Sequence, residues 1–344
     1  MVGDYVINSS SLSEKMDERI IDISTAPSKH ARDIYTVLWS RALDSNYSDN
    51  QHVTLGASNQ SHHNISVILD DLQDGDETRR GVTTFHNSDF LDGFDDMREE
   101  LTMNEVTKMM SMPYAMIPRS NLPERDKSYL TENLATSVGY LVNGQTEDLA
   151  GPSMLDFRDE EVVIAYNGSE KAPVPWYEGM ADLKTGTLFK AGARSGAISA
   201  GHREKDDNNE YQLAEDHAYH LGLLLQVTDD ILDVTQTDEE LGKDALSDLV
   251  EGKPAITVIY GLENTEDYEW RRLREVVEAE EPNAQNLEEA RDILIDSGAV
   301  DDAYDLAKEH RDSANDVLDK VGIEYPEWEE DLRKLSGMVY ERSR

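Results

Sequence analysis

Apolar residues recur along this chain mostly at helical spacing. In DIYTVLWSRAL (33–43), Ile34, Val37, Leu38 and Leu43 fall near one stripe. In LAEDHAYHLGLLLQVTDDILD (213–233), Leu213, His217, Leu221, Leu224, Thr228 and Ile231 step by three and four. Residues 287–322 predict two helices with Gly298 near their junction, and Pro326 opens a last one. Alternating, strand-like patterns are few and short, and EEVVIAYNG (160–168) is the best of them. Polar loops are predicted at 44–52, 166–175, 202–210 and 262–286, the last strongly acidic. The fold class read from this pattern is all-α, built from long helices.

Length changes the picture little. The chain has 344 residues but no Pro/Gly/Ser-rich linker, so a single domain is expected over 1–344, with 1–25 as an N-terminal extension. No apolar run approaches the roughly 18 residues that would span a bilayer. The start, MVGDYVINSS, lacks the basic residues and apolar core of a signal peptide. Cysteine is absent, which excludes disulfides and thiolate metal sites. Together these predict a soluble, cytoplasmic protein.

Charge changes it more. Asp and Glu number 72 against 32 Lys and Arg, a net charge of −40. Nucleic acid is thereby excluded as a partner, because its phosphates demand a basic surface. The acids are spread through segments that keep helical apolar spacing, unlike the acidic tails of disordered chains. They predict a surface suited to high salt, where cations screen the self-repulsion of the folded state.

The candidate chemistry lies in two aspartate clusters. In SVILDDLQDGDETRRG (66–81), Asp70 and Asp74 are four apart and share one helical face, with Asp71 rotated aside. DDILD (229–233) repeats the spacing with Asp229 and Asp233 around Asp230. Like charges so placed destabilise a bare helix and call for a cation between them. Carboxylate oxygens without His or Cys suit Mg2+, which keeps waters and shares its shell with substrate phosphates. Acidity alone is not a site, and SDFLDGFDDMREE (88–100) reads as a solvated acidic face. What sets the two clusters apart is the cations beside them: Arg79 and Arg80 after the first, Lys243 and Lys253 after the second, and Lys184 with Thr185 in LKTGTL. Metal and fixed donors together are what a diphosphate requires.

On these residues the chain closely resembles the trans-isoprenyl diphosphate synthases of the polyprenyl synthetase family. That family's first motif is matched without a gap by Asp70, Asp71, Asp74, Arg79, Arg80 and Gly81, and its upstream histidine by His63. GVTTFH keeps Thr84 and His86 of a downstream motif, and GQTEDL (144–149) matches another. QVTDDILD supplies Gln226, Asp229, Asp230 and Asp233, and Lys243 and Lys253 fall at two Gly-Lys positions. The resemblance runs from about residue 26 to the C-terminus. One segment departs: the family's Gly-Lys-Arg-x-Arg-Pro is reduced to SKHARD (28–33), with Lys29 and Arg32 kept and His30 in place of Arg.

The resemblance implies a bundle of long, mostly antiparallel helices around a deep central cavity, in a homodimer. It implies Mg2+ on Asp70, Asp71, Asp74, Asp229, Asp230 and Asp233. Catalysis falls to Asp70, Asp74, Asp229, Lys184 and Gln226, and the allylic diphosphate to Arg79, Lys184, Thr185, Gln226, Lys243 and Lys253. Isopentenyl diphosphate falls to Lys29, His30, Arg32, His63 and Arg80. In the family, aromatics four or five residues before the first aspartate stop elongation, and here Ser66 and Ile65 stand there. The implied product is geranylgeranyl diphosphate or one unit longer, from a salt-adapted organism. A terpene cyclase of related fold, or a non-catalytic subunit of a heteromeric synthase, is the alternative. Retention of His63, Arg80 and both aspartate clusters favours the synthase.

Overall fold

The computed structural model describes residues 11–25, 30–79, 81–158, 161–204, 209–241, 245–323 and 325–343. The chain forms two compact units, each assembled from separated stretches. The first takes the chain through Val138 together with Ala191–Tyr211 and Gly322–Trp328, and the second takes the rest. Most boundaries fall within helices, so no linker composition marks them.

In the first unit, α1 (Ser11–Thr25), α2 (Ala31–Ala42), α3 (Asp49–Asp74) and α4 (Arg98–Arg119) precede the start of α5 (Glu124–Met154). A two-stranded hairpin, β1 (Thr78–Arg79) and β2 (Val82–Thr83), follows α3. At the start of α3 the Ser48 backbone N–H donates to Gln51 Oε1 at 2.8 Å, satisfying a donor that the first turn would leave open. At its end Gly75 adopts φ 73°, a left-handed conformation that glycine takes without a Cβ penalty. Helix α2 buries Tyr35, Leu38, Trp39 and Ala42, while Ile34 is 48% exposed. Of the predicted stripe, Leu38 and Leu43 are buried and Val37 partly so, and Ile34 alone is corrected. The T-shaped Tyr35–Trp39 pair, with centroids 6.4 Å apart, removes more apolar area from water than Ile34 could and sets the buried face. One core cluster joins Met16 and Ile20 of α1, Ile65 and Ile68 of α3, Phe85, and Val106 and Met109 of α4. In the acidic 88–100 stretch, Asp92, Asp95 and Asp96 are exposed as expected. Leu91 nevertheless anchors it in the interior, and Arg98 pairs with Asp92 and Asp95 at 2.9 Å each.

The second unit holds the one sheet of more than two strands among the described residues. Strands β3 (Leu155–Arg158), β4 (Glu161–Tyr166) and β5 (Ser169–Lys171) pair antiparallel in that order. The predicted strand at 160–168 is β4. The predicted loop at 166–175 is instead the Asn167–Gly168 turn, with φ 51° and 82°, followed by β5 and the start of α6 (Pro173–Ala181). A π-helical turn, Asp182–Gly186, leads into α7 (Thr187–Ala200), and α8 is Glu210–Thr235. The predicted stripe of α8 is buried at every position. Short helices α9 (Asp238–Leu241) and α10 (Ser247–Val250) precede α11 (Ile256–Asn264), α12 (Asp267–Val277), α13 (Ala284–Asp296), α14 (Ala299–Leu318) and α15 (Pro326–Glu341). Gly298, at φ 81°, separates α13 from α14 as expected. The acidic loop predicted at 262–286 is corrected: α12 fills much of it and buries Trp270, Leu273, Val276 and Val277. Among the described residues, no helix is long and apolar enough to cross a membrane.

Candidate active site

In the first unit the aspartates end α3 and the arginine stands on the hairpin that follows. Asp71 is buried and accepts a hydrogen bond from Arg79 Nε. Arg79 Nη2 reaches Asp70 at 3.3 Å and Asp76 at 3.4 Å. Burial pushes the Asp71 carboxyl up to about 6 against the opposing pull of Arg79. Asp71 is therefore not set aside on the helix but fixes the arginine, while Asp70 and Asp74 remain partly exposed. Thr84 Oγ1 donates to the Asp76 carbonyl at 2.7 Å and secures the loop that presents Arg79.

A cavity of about 520 Å³ adjoins this cluster, lined among others by Arg19 and Ile23 of α1, His63, Val67 and Asp71 of α3, and Arg79. His63 Nε2 lies 3.2 Å from Arg32 Nη1, so two residues expected to hold isopentenyl diphosphate stand together. His30 turns onto Asp33 at 3.1 Å. Ile65 does not line this cavity. It lies in the apolar cluster with Met16, Ile20, Val106 and Met109, and Ser66 Oγ donates to the His63 carbonyl at 2.9 Å. The reason is helical: His63, Val67 and Asp71 share a face that turns Ile65 away.

The second unit arranges its donors around close backbone approaches. A Cβ at Gly144 would stand 2.2 Å from the Lys184 backbone nitrogen, and one at Gly222 2.4 Å from Gly186 Cα. These glycines let α5 and α8 close on the π-helical turn that carries Lys184 and Thr185, a form of irregularity often found at functional sites. Asp148, one turn after Gly144 on α5, accepts from Lys184 Nζ at 2.7 Å and faces Lys253 Nζ at 3.6 Å. Thr185 donates to Gln226 Oε1 at 2.6 Å, and Gln226 Nε2 donates to Asp230 at 2.9 Å.

The second aspartate cluster does not present three equivalent ligands. Asp230 is buried and also accepts from the Tyr177 hydroxyl at 2.7 Å and from the Ile256 backbone N–H at 3.0 Å. Burial raises its pKa, opposed by those hydrogen bonds. Asp233 is buried too, accepting from Ser247 N at 3.1 Å, Ser247 Oγ at 2.9 Å and Asp248 N at 3.2 Å, which closes the first turn of α10. Asp229 alone of the three is exposed, paired with Arg342 at 3.2 Å.

Six expected metal ligands thus fall into two sets. Asp70, Asp74 and Asp229 reach solvent even where an arginine stands beside them, whereas Asp71, Asp230 and Asp233 are buried against protein donors. Among the described residues no three His, Asp or Glu side chains converge as a preformed cage. An all-oxygen, incompletely filled donor set nevertheless fits Mg2+, which retains several waters. Lys29, Arg80 and Lys243 lie outside the described residues. Asp148, Tyr177 and the two packing glycines, Gly144 and Gly222, are site-builders that the sequence reading does not single out. The GQTEDL segment was the available signal for Gly144 and Asp148.

A family described as polyprenyl synthetase matches residues 13–294, beginning before residue 26 and stopping within α13. A geranylfarnesyl diphosphate synthase from Aeropyrum pernix is 26% identical, covering 99% of each chain. A geranylgeranyl diphosphate synthase from Sulfolobus acidocaldarius is 27% identical over 77% of this chain and 73% of its own. Among solved structures, a geranylgeranyl pyrophosphate synthase from Corynebacterium glutamicum, complexed with isoprenyl diphosphate and magnesium, superposes with a TM-score of 0.85. It is 17% identical, covers 99% of this chain and 96% of its own, and so speaks to the helical fold.

Proposed function

The chain belongs to the polyprenyl synthetase family, and from that premise we propose that it is a prenyltransferase joining isopentenyl diphosphate to an allylic diphosphate. The observation that carries this reading is the division of labour among the acids. Asp71 fixes Arg79 and Asp148 fixes Lys184 beside Lys253, while Asp70, Asp74 and Asp229 stay accessible. Anchored cations lose less side-chain freedom when they grip a diphosphate than free ones would.

Asp70, Asp74 and Asp229 hold Mg2+ in this reading. Bound there, it supplies Lewis acidity that stabilises the negative charge of a departing diphosphate. Arg79 in the first unit, and Lys184 and Lys253 in the second with Thr185 and Gln226 orienting Lys184's turn, are diphosphate-binding groups acting through charge-assisted hydrogen bonds. Arg32 and His63 hold isopentenyl diphosphate, joined by His30, Lys29 and Arg80. The departing diphosphate accepts the proton lost after condensation, so none of these aspartates acts as the base. The Arg32–His63 contact favours a synthase over a cyclase, which has no use for a second diphosphate site. The working form is a homodimer.

Product length is the finer part of the proposal: geranylgeranyl diphosphate or one isoprene unit more. Incubation with Mg2+, isopentenyl diphosphate and a panel of allylic primers, followed by sizing, is expected to give that range. Cyclic hydrocarbon would instead indicate a cyclase, and no product at all an inactive subunit. Ile65→Phe, by overfilling the cluster of Met16, Ile20, Val106 and Met109, is expected to cost about 1–3 kcal/mol of stability, and a shortened product would mean that the growing chain extends beyond the cavity into that cluster. A stability loss with unchanged product length would leave Ile65 a core residue only.

The charge of −40 supports adaptation to high salt. Exposed Glu288, Asp292 and Asp296 step by four along one face of α13, a spacing at which like charges repel. The melting temperature should climb steeply from low to molar KCl as screening shortens the Debye length to about 3 Å. A flat profile would remove this part of the proposal.

A further inference from the structure

The second unit contains a pair of imidazoles for which the proposed reaction has no use. His220 on α8 and His310 on α14 face each other through their Nδ1 atoms at 3.1 Å, with ring centroids 5.4 Å apart. On the far side of its ring, His310 Nε2 faces Glu178 Oε1 of α6 at 3.7 Å. Tyr219 packs edge-on against both rings and restrains them. His310 is 5% exposed, whereas His220 and Glu178 reach the surface in part, leaving the pair open from one side.

Two Nδ1 atoms in contact share a single proton. With its Nε2–H toward Glu178, His310 offers a lone pair at Nδ1, and His220 donates Nδ1–H to it. Burial lowers the pKa of both imidazoles, that of His310 to about 4, so protons compete weakly for these nitrogens at neutral pH.

We propose that His220 and His310 form a binding site for a late first-row divalent cation such as Zn2+ or Cu2+, ligated by the two Nδ1 atoms and completed by water. Two imidazole nitrogens on a tetrahedral ion at about 2.0–2.1 Å stand roughly 3.3 Å apart, so the pair separates by about 0.2 Å while both rings turn to aim their lone pairs at an ion off the N–N line. As the cation enters, the neutral His220 ring exchanges its proton through solvent from Nδ1 to Nε2, so both ligands remain neutral imidazoles and no net proton is released. Glu178, 3.7 Å from the remote nitrogen of His310, would complete the carboxylate–histidine–metal arrangement that orients a ligating ring by closing to hydrogen-bonding distance. Asp216, one turn before His220, and Glu309, adjacent to His310, add negative charge, with Lys320 opposing it at His220. Nitrogen donors select this class of cation over Mg2+, which separates the site chemically from the aspartate clusters. Occupancy would tie α8 to α14.

The test uses metal-stripped, full-length protein without diphosphate, titrated calorimetrically with Zn2+ and examined with Cu2+ by electron paramagnetic resonance. One equivalent of Zn2+ is expected to bind, raising the melting temperature, and the Cu2+ spectrum should show coupling to two imidazole nitrogens. His220→Gln and His310→Gln should each weaken Zn2+ binding by roughly tenfold or more, and Glu178→Gln by about tenfold, while Asp70→Ala leaves it intact. Should a glutamine variant fail to fold, the wild-type Cu2+ spectrum decides by itself. A Zn2+ isotherm unaltered by both histidine substitutions, or a Cu2+ spectrum without two nitrogen couplings, would overturn the proposal.

Discussion

Replacing Asp70 by alanine is expected to lower turnover with every allylic primer by about a thousandfold or more, equivalent to about 4 kcal/mol of transition-state stabilisation. The carboxylate is partly exposed, and its 3.3 Å contact with Arg79 is weaker than that of Asp71, so removing it leaves Asp71 and Asp76 to hold the arginine. The fold should survive, and the lost activity is attributable to the metal. The neighbouring aspartates make the contrast. Asp230→Asn puts an amide among three donors, Tyr177, Gln226 and Ile256 N–H. At least one then loses its acceptor, costing about 1–3 kcal/mol before any kinetic effect. Steady-state kinetics with urea unfolding on both variants separates the roles. Near-normal activity in Asp70→Ala would refute the metal assignment.

A methyl group at Gly144 should be nearly as damaging, although it touches no substrate. The added Cβ would meet the backbone of Leu183 and Lys184 at 2.2–2.5 Å, and backbone cannot swing away as a flexible side chain can. Either α5 or the π-helical turn must move, with an expected stability loss of about 1–3 kcal/mol or more. Because the turn positions Lys184 and Thr185, a shift of about 1 Å should also reduce kcat roughly a hundredfold. Gly139, on the same helix, has nothing within 4 Å of its Cβ position. Gly139→Ala should therefore stabilise slightly, by about 0.5–1 kcal/mol, through helix propensity alone. Equal behaviour of the two variants in thermal melts and kinetics would dismiss the packing argument.

The sequence carried most of the helical architecture because burial writes its period into it. Helix α8, whose stripe is inside at every expected position, is the clearest case. Helix α12 was hidden by its composition: DYEWRRLREVV keeps its apolar face with four residues among seven charged or polar ones. In α2 the choice of face went to aromatic bulk rather than to aliphatic count, which spacing alone does not weigh. The aspartate clusters were legible as clusters, but the role of each acid was not. Adjacent helical residues point about 100° apart, and which direction faces the protein depends on partners distant in sequence. Tyr177 and Ile256 for Asp230, and Ser247 for Asp233, are such partners. The same holds for Asp148, whose motif was recognised while its grip on two lysines required the folded chain.

The central claim is condensation of isopentenyl diphosphate with an allylic partner, and label transfer measures it most directly. Purified protein in molar KCl would be given radiolabelled isopentenyl diphosphate and an allylic primer, with Mg2+ or with excess chelator. Label is expected in a prenyl diphosphate of geranylgeranyl length or one unit longer with Mg2+, and none with chelator. Label that stays in isopentenyl diphosphate while the primer is consumed would contradict it.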